Sequence, residues 1–182
     1  MGEVTRTNTP LGELELAVAL RSAYVALFGE DPTSEVLGVA WAQNALENAH
    51  GRAIFNYNFG NITGTGEGGD FYTLTTDEQI SPGVWKPLTL KYAAHPDPVA
   101  GARAYWALIT GSRYRPAFDQ FFTTGDAPGA AMKLHELGYF TANPEPIALT
   151  FGKLYDQFAD SLGPSLGGLA HGSPKAGGES CS

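Results

Sequence analysis

The sequence has only one cysteine in 182 residues, Cys181, and it lies one residue from the C-terminus. An intrachain disulfide is therefore excluded, and no covalent cross-link stabilises the fold. Long apolar runs are also missing, since no segment approaches the roughly 18 consecutive apolar residues that a membrane-spanning helix needs. We therefore expect no membrane partner.

Positive charge is scarce. Eleven Lys and Arg residues stand against 19 Asp and Glu residues, which gives a net charge of -8 and leaves no basic stripe for nucleic acid. The histidines His50, His95, His135 and His171 are far apart and lack metal-ligand spacing. We therefore predict no nucleic-acid partner, no metal and no cofactor. Residues 1–10 lack a basic region followed by an apolar one, so we also predict no secretory signal.

The chain is long enough to form one domain, because folded chains near 150 residues bury about 70% of their unfolded surface. Helical periodicity, caps and Gly or Pro stops predict a mainly α-helical α+β fold, with one β-hairpin inserted between helices. Residues 163–182 are rich in Ser, Gly and Pro, which predicts a flexible tail after a domain of residues 1–162. The predicted helices cover residues 10–28, 33–47, 97–111, 126–137 and 143–162, and the hairpin covers 71–92.

The central predicted helix ends in an acidic residue, Glu47. Residues 36–42 are nearly apolar on every side, which is typical of a helix inside a core, and only the last turn is polar. Gln43 and Asn44 precede Glu47 by four and three positions, so the three side chains share one surface. At the edge of a core, low polarity raises the pKa of a carboxyl group and keeps a proton available for general acid catalysis. A Glu that caps or pairs at a solvated helix end fits this feature equally well.

The segment after this helix alternates aromatic residues with Asn and Gly. Aromatic faces stack on sugar rings, and amides bind hydroxyl and acetamido groups, so the composition suits the wall of a glycan cleft. We predict Asn56, Tyr57, Asn58 and Phe59 as substrate-binding residues. The alternative is a loop closed by its own aromatic side chains.

Four short motifs, in the same order along the chain, resemble glycoside hydrolase family 73 of the lysozyme superfamily, which contains peptidoglycan N-acetylglucosaminidases. They are Ala45-Leu46-Glu47-Asn48-Ala49-His50-Gly51, Asn58-Phe59-Gly60-Asn61-Ile62, Arg113-Tyr114 and Gly138-Tyr139-Phe140-Thr141. The resemblance covers about residues 14–158. It implies a lysozyme-like fold whose hairpin lobe faces the catalytic helix, with Glu47 as the general acid and with Tyr114 and Tyr139 at the substrate. A tyrosine buried in the core is an equally good interpretation of Tyr139.

The resemblance has departures. Asn48-Ala49-His50 stands where the family has Ser-Gly-Trp, and His95 stands where its Phe-Arg-x-Tyr pattern has Tyr, so the subsites are expected to differ. The family's second carboxylate lies in a Thr-x-Glu segment of the hairpin, which Thr75-Thr76-Asp77-Glu78 resembles. This resemblance implies Glu78 as a second catalytic residue, with Asp77 and Asp70 as substitutes. The alternative is that these carboxylates are ordinary surface residues, as hairpin carboxylates usually are.

The predicted function is cleavage of the peptidoglycan glycan strand by an endo-β-N-acetylglucosaminidase in which Glu47 protonates the glycosidic oxygen. One alternative is a lytic transglycosylase, which uses a single Glu and closes the muramic acid on itself. Another is a non-catalytic plug or glycan-binding component of a phage tail or contractile injection particle. The expected setting is such a particle at the bacterial cell wall, with glycan strands and possible tail or baseplate proteins as partners.

Overall fold

A computed structural model describes residues 2–81, 83–140 and 142–167, except for the side chains of residues 78–80. The described chain is mainly helical with one two-stranded antiparallel sheet, which confirms the predicted α+β class. No helix in these ranges is both long and apolar enough to cross a membrane. The elements are α1 (Glu13–Phe28), α2 (Ser34–Glu47), β1 (Phe71–Ser81), β2 (Val84–Ala93), α3 (Pro98–Ile109), α4 (Arg115–Thr124), α5 (Ala127–Glu136), α6 (Pro144–Gln157) and α7 (Gly163–Gly167).

Helix α2 passes through the core, as its apolar composition predicts. Residues 37–45 are all buried, and α1 and α6 pack against the helix. The predicted cap is present, because the Thr33 side chain accepts a hydrogen bond from the Val36 N–H at 3.3 Å. The Trp41 indole is fully buried and donates to the Glu13 carbonyl of α1 at 3.1 Å. Each large apolar side chain buried in this way contributes about 1.5–3 kcal/mol, so α2 is a rigid support for its terminal residue Glu47.

Helix α3 packs against α1 and also against the segment that follows α2. The Trp106 indole donates to the Leu20 carbonyl of α1 at 2.8 Å. On another side of α3, Gly101 lies directly against the Tyr57 carbonyl, where an added Cβ would also stand 2.8 Å from Cδ2 of Phe59. Only a residue without a side chain permits this close approach. Helix α3 therefore determines the position of the segment around residues 57–61.

The predicted hairpin is confirmed and is joined to the domain at its base. Tyr72 pairs with Tyr92, and their rings stack with centroids 5.6 Å apart. The Ala93 N–H donates to the Ile62 carbonyl at 2.9 Å, which ties β2 to the segment after α2. The far end of the hairpin is open to solvent, and Trp85 there is 61% exposed.

Two parts of the sequence prediction need correction. Helix α4 was not predicted, although its Phe118 and Phe121 point into the core three positions apart. The predicted end of the last helix at residue 162 is wrong, because a π-helical turn, Phe158–Leu162, leads directly into α7. The Gly163 N–H bonds to the Phe158 carbonyl, and Leu166 is only 5% exposed, so burial holds residues 163–167 in place. Residues 168–182 of the predicted tail lie outside the described residues.

Candidate active site

Glu47 is the last residue of α2, and its carboxyl group lines an open cavity of about 530 Å³. This volume lies within the roughly 300–1,000 Å³ that is usual for small-molecule sites. The cavity walls come from the segment after α2, from the end of α3 and its connection to α4, and from the segment after α5. The lining residues besides Glu47 are 60–63, 107–108, 111–114 and 139. Among these described residues, Glu47 alone carries a carboxyl group.

The environment of Glu47 favours its protonated form. Burial removes water from the carboxylate and raises the pKa of Glu47 above its ordinary value, whereas a hydrogen bond from Asn61 acts in the opposite direction. This bond runs from Nδ2 of Asn61 to Oε2 of Glu47 and is 3.1 Å long. A protonated carboxyl group that faces an open cavity is suited to general acid catalysis.

The polar groups near the Glu47 carboxyl group include the neutral side chains of Gln43, Tyr105 and Tyr139. Gln43, one helical turn before Glu47, accepts a hydrogen bond from the Tyr105 hydroxyl at 2.7 Å. The Tyr139 hydroxyl donates to the Gly60 carbonyl at 3.3 Å. Burial, and then the charge of Glu47, raise the pKa of Tyr139 well above the ordinary tyrosine value. Tyr139 is therefore neutral throughout the pH range in which Glu47 titrates.

The loop that carries Asn61 is held by its own side chains. Asn58 donates to the Ile62 carbonyl at 2.9 Å and accepts from the Ile62 N–H at 2.8 Å, which closes the loop across four residues. Gly60 has a φ of 73°, and an added Cβ would stand 2.7 Å from the Tyr139 hydroxyl. Asn61 has a φ of 50°, a left-handed conformation that asparagine tolerates better than most residues. These constraints bring the Asn61 amide to Glu47.

The predicted substrate-binding residues of this segment lie outside the cavity lining. Asn58 and Phe59 are fully buried, and a role for either in binding substrate stays a prediction. Asn56 binds the N-terminal segment instead, accepting from the Thr7 N–H at 2.9 Å and donating to the Thr5 carbonyl at 3.0 Å. Tyr57 packs against the core and is not part of the cavity lining. The side chain that closes this segment is that of Asn58, through its two hydrogen bonds to Ile62.

The tyrosines predicted from the family resemblance do line the cavity. Tyr114 and Tyr139 meet edge to face with ring centroids 5.2 Å apart. They come from the connections that precede α4 and follow α5, so the fold brings together residues that are distant in sequence. A role for either residue in substrate binding stays a prediction.

The hairpin carboxylates are not brought to the cavity among the described side chains. Asp70 accepts a hydrogen bond from the Gly2 N–H at 3.0 Å, and Asp77 is exposed opposite Pro87. Neither lines the cavity. The backbone of Glu78 pairs with Lys86, but its side chain lies outside the described part of the chain, so its catalytic role stays a prediction.

Sequence reasoning missed four polar residues of the lining, Asn61, Thr63, Ser112 and Arg113. Asn61 and Arg113 occur inside the motifs that carry the family resemblance, Asn61 beside Gly60 and Arg113 beside Tyr114. The Gly60-Asn61 pair was the one local signal for a tight loop at this position, because both residue types tolerate a left-handed backbone.

A second cavity, of about 290 Å³, adjoins the first. It is lined by Leu46, Phe140, Ala142 and Ile147, and it shares Glu47 and Tyr139 with the larger cavity. Open space is therefore present on both sides of the Glu47 carboxyl group.

The helical body with one hairpin lobe is a lysozyme-like fold that this chain shares with solved structures. The catalytic domain of the autolysin Auto from Listeria monocytogenes has a TM-score of 0.59 and 22% identity, over 84% of this chain and 88% of that one. A mutant peptidoglycan hydrolase from Sphingomonas sp. A1 has a TM-score of 0.57 and 19% identity, over 81% and 98%. The glycoside hydrolase domain of Salmonella typhimurium FlgJ has a TM-score of 0.52 and 18% identity, over 85% and 90%.

At these identities the likeness establishes the fold. It confirms the lysozyme-like architecture that the resemblance to glycoside hydrolase family 73 implied. No family model and no curated protein matches the sequence.

Proposed function

We propose that this protein is a glycoside hydrolase that cleaves the glycan strands of peptidoglycan, with Glu47 as the general acid. The observation that carries the proposal is the Glu47 carboxyl group, whose pKa is raised by burial although the group faces an open cavity. The structural neighbours described as an autolysin and as peptidoglycan hydrolases support this substrate class.

In the proposed reaction, Glu47 donates its proton to the glycosidic oxygen as positive charge develops on the anomeric carbon. The resulting Glu47 carboxylate keeps the hydrogen bond from Asn61, which favours the ionised form. The interaction therefore strengthens as the proton leaves, which is the requirement for stabilising a transition state. A second carboxylate, with Glu78 as the candidate, or the acetamido group of the substrate would stabilise the anomeric carbon or activate water.

The two adjoining cavities support an endo-acting enzyme. Glu47 and Tyr139 border both of them, so sugar units on either side of the scissile bond have space to bind. We propose the N-acetylglucosaminidase specificity, which leaves GlcNAc at the new reducing ends. We also propose that a phage tail or injection particle carries the protein to the cell wall.

The test is digestion of purified peptidoglycan by the wild type, by Glu47→Gln and by Glu35→Gln. Removal of a general acid lowers the rate by about 10²–10⁴-fold, and we expect this loss for Glu47→Gln. Glu35 is an exposed residue in the first turn of the same helix and lies outside the cavity lining, so Glu35→Gln makes the same side-chain change away from the site and should retain activity. Digestion by Glu47→Gln at the wild-type rate would exclude the assignment.

The products distinguish the alternatives. A lytic transglycosylase needs only one acid, and the described cavity lining contains only one, so this reaction is the second candidate. Mass spectrometry of the released glycans would show anhydro ends for the transglycosylase and reducing GlcNAc ends for the glucosaminidase. Binding of cell walls without cleavage, unchanged in Glu47→Gln, would instead support a non-catalytic component.

A further inference from the structure

The cavity that contains Glu47 has one cationic side chain among its described lining residues, Arg113. No carboxylate lies within ion-pair distance of Arg113 in the ranges that the structure describes. By contrast, Arg21, Arg103 and Arg115 pair with Asp31, Glu67 and Asp119 at 2.8, 2.8 and 3.6 Å. Arg113 is therefore a positive charge placed at the candidate active site without an internal counter-ion.

The guanidinium group of Arg113 is positioned by its neighbours. Its Nε–H donates to the Leu137 carbonyl at 3.1 Å, and its carbon lies 5.0 Å from the centroid of the Tyr114 ring. Gly138 leaves room for the group, since a Cβ there would stand 2.8 Å from Nη2. These contacts use Nε–H and one face of the guanidinium, whereas the terminal nitrogens form no hydrogen bond within the described residues. A guanidinium held in this way is suited to paired hydrogen bonds with a carboxylate.

The chemistry of the glycan provides such a carboxylate. The hydroxyl and acetamido groups of an amino-sugar polymer are neutral, but each muramoyl unit bears a lactyl group. That group ends in a free carboxylate when the stem peptide is absent, and the peptide bears carboxylates of its own when it is present. Because the net charge of the protein is -8, a local cation is needed to attract an anionic polymer to the cavity.

We propose that Arg113 binds a carboxylate of the muramoyl unit and so makes the site select peptidoglycan over neutral amino-sugar polymers such as chitin. The inference rests on the proposed function, since it concerns the substrate of the same site. Arg113 is a specificity-determining residue in this scheme, and Glu47 remains the proton donor.

The experiment compares kcat/KM for the wild type and Arg113→Gln on three soluble substrates. These are a GlcNAc tetrasaccharide, a peptide-free GlcNAc–MurNAc tetrasaccharide and the same muramoyl tetrasaccharide with its stem peptides. A charge-assisted ion pair at an exposed site corresponds to at most about fivefold in kcat/KM, so we expect a loss of about this size on a muramoyl substrate and no loss on the GlcNAc oligomer. Arg113→Lys should restore part of the selectivity, because it keeps the charge without the paired geometry.

The control is Arg115→Gln, which removes the same charge two residues away, outside the cavity lining, and should leave all three rates unchanged. A greater loss on the peptide-free substrate identifies the lactyl carboxylate, and a greater loss on the peptide-bearing substrate identifies a peptide carboxylate. An equal loss on all three substrates would mean that Arg113 only supports the cavity wall, and no loss on any would mean that it makes no contact. Either result overturns the inference.

Failure of the proposed function has a different signature. In that case the wild type cleaves none of the substrates and no intact peptidoglycan. The inference is then decided by calorimetric binding of the same three oligosaccharides to the wild type and to Arg113→Gln. The inference is supported if the wild type binds the muramoyl oligosaccharides more tightly than the GlcNAc oligomer and Arg113→Gln does not. It is overturned if the two proteins bind each oligosaccharide with equal affinity.

Discussion

Replacement of Asn61 by glycine tests the electrostatic description of the active site most directly. The substitution removes the amide that donates to Oε2 of Glu47 at 3.1 Å. Glycine adopts the φ of 50° at this position without strain, so the backbone of the loop should be retained. Because Asn61 stabilises the ionised form of Glu47, its loss should raise the pKa of Glu47 further.

The expected magnitude follows from the strength of one hydrogen bond to a charged group. Such bonds contribute about 1.5–3 kcal/mol when buried, and the exposure of Asn61 reduces the value here to about 1 kcal/mol. That free energy changes the ratio of protonated to ionised Glu47 about fivefold at a given pH. Activity on the alkaline side of the pH–rate profile, relative to each protein's own maximum, should therefore be about fivefold higher in Asn61→Gly.

The assay is the pH dependence of kcat/KM on a soluble glycan, together with titration of the Glu47 carboxyl carbon by NMR. Asn61→Asp provides a second variant, since a like charge beside Glu47 should move the alkaline limb further in the same direction. If the alkaline limb of the pH–rate profile stays in place or moves to lower pH in Asn61→Gly, the effect of Asn61 on the pKa of Glu47 is refuted.

The remaining predictions concern stability. Gly101→Ala would force α3 away from the Tyr57 carbonyl, and we expect a loss of about 3 kcal/mol, measured as a fall in Tm of roughly 6–12 °C. The folded state raises the pKa of Glu47, so protonation of this residue stabilises the folded protein. This contribution is fully present below the ordinary pKa of glutamate and is lost as the pH rises through the raised pKa of the folded state. The Tm of Glu47→Gln should therefore rise relative to that of the wild type as the pH increases between these two pKa values, in paired thermal melts. A Tm difference that does not change with pH would show that Glu47 is not desolvated.

Local signals in the sequence were sufficient for several elements. Thr33 and Asp97 cap helices as predicted, because their side chains bond to N–H groups three residues later. The left-handed glycines Gly29 and Gly138 stand at predicted helix ends. The position of Glu47 at the edge of the core followed from the apolar run before it, since a helix that is apolar on every side has to be buried.

Helix α4 and the continuation of the last helix into α7 were not accessible in this way. Helix α4 starts without a capping side chain, so the signal that marks the start of α2 and α3 is missing. Its Phe121 is buried against Tyr155 of α6, a contact that only the tertiary fold provides. Leu166 holds α7 in place by burial near Phe158, although the surrounding Gly, Ser and Pro composition predicts a flexible chain. At α7, tertiary packing overrode local preference.

The sequence by itself determined the class of fold and pointed to Glu47 as the candidate acid, because both depend on periodicity and on short motifs. Only the tertiary structure decided which side chains share the cavity with that residue. Asn58 and Phe59 turned inward, whereas Asn61, Arg113 and Tyr139 met Glu47 in one lining. Gly60 and Tyr139 are in contact although 79 positions separate them, and no local pattern encodes such a contact. The physical reason is that a cleft forms where separate elements pack, so its lining depends on long-range contacts.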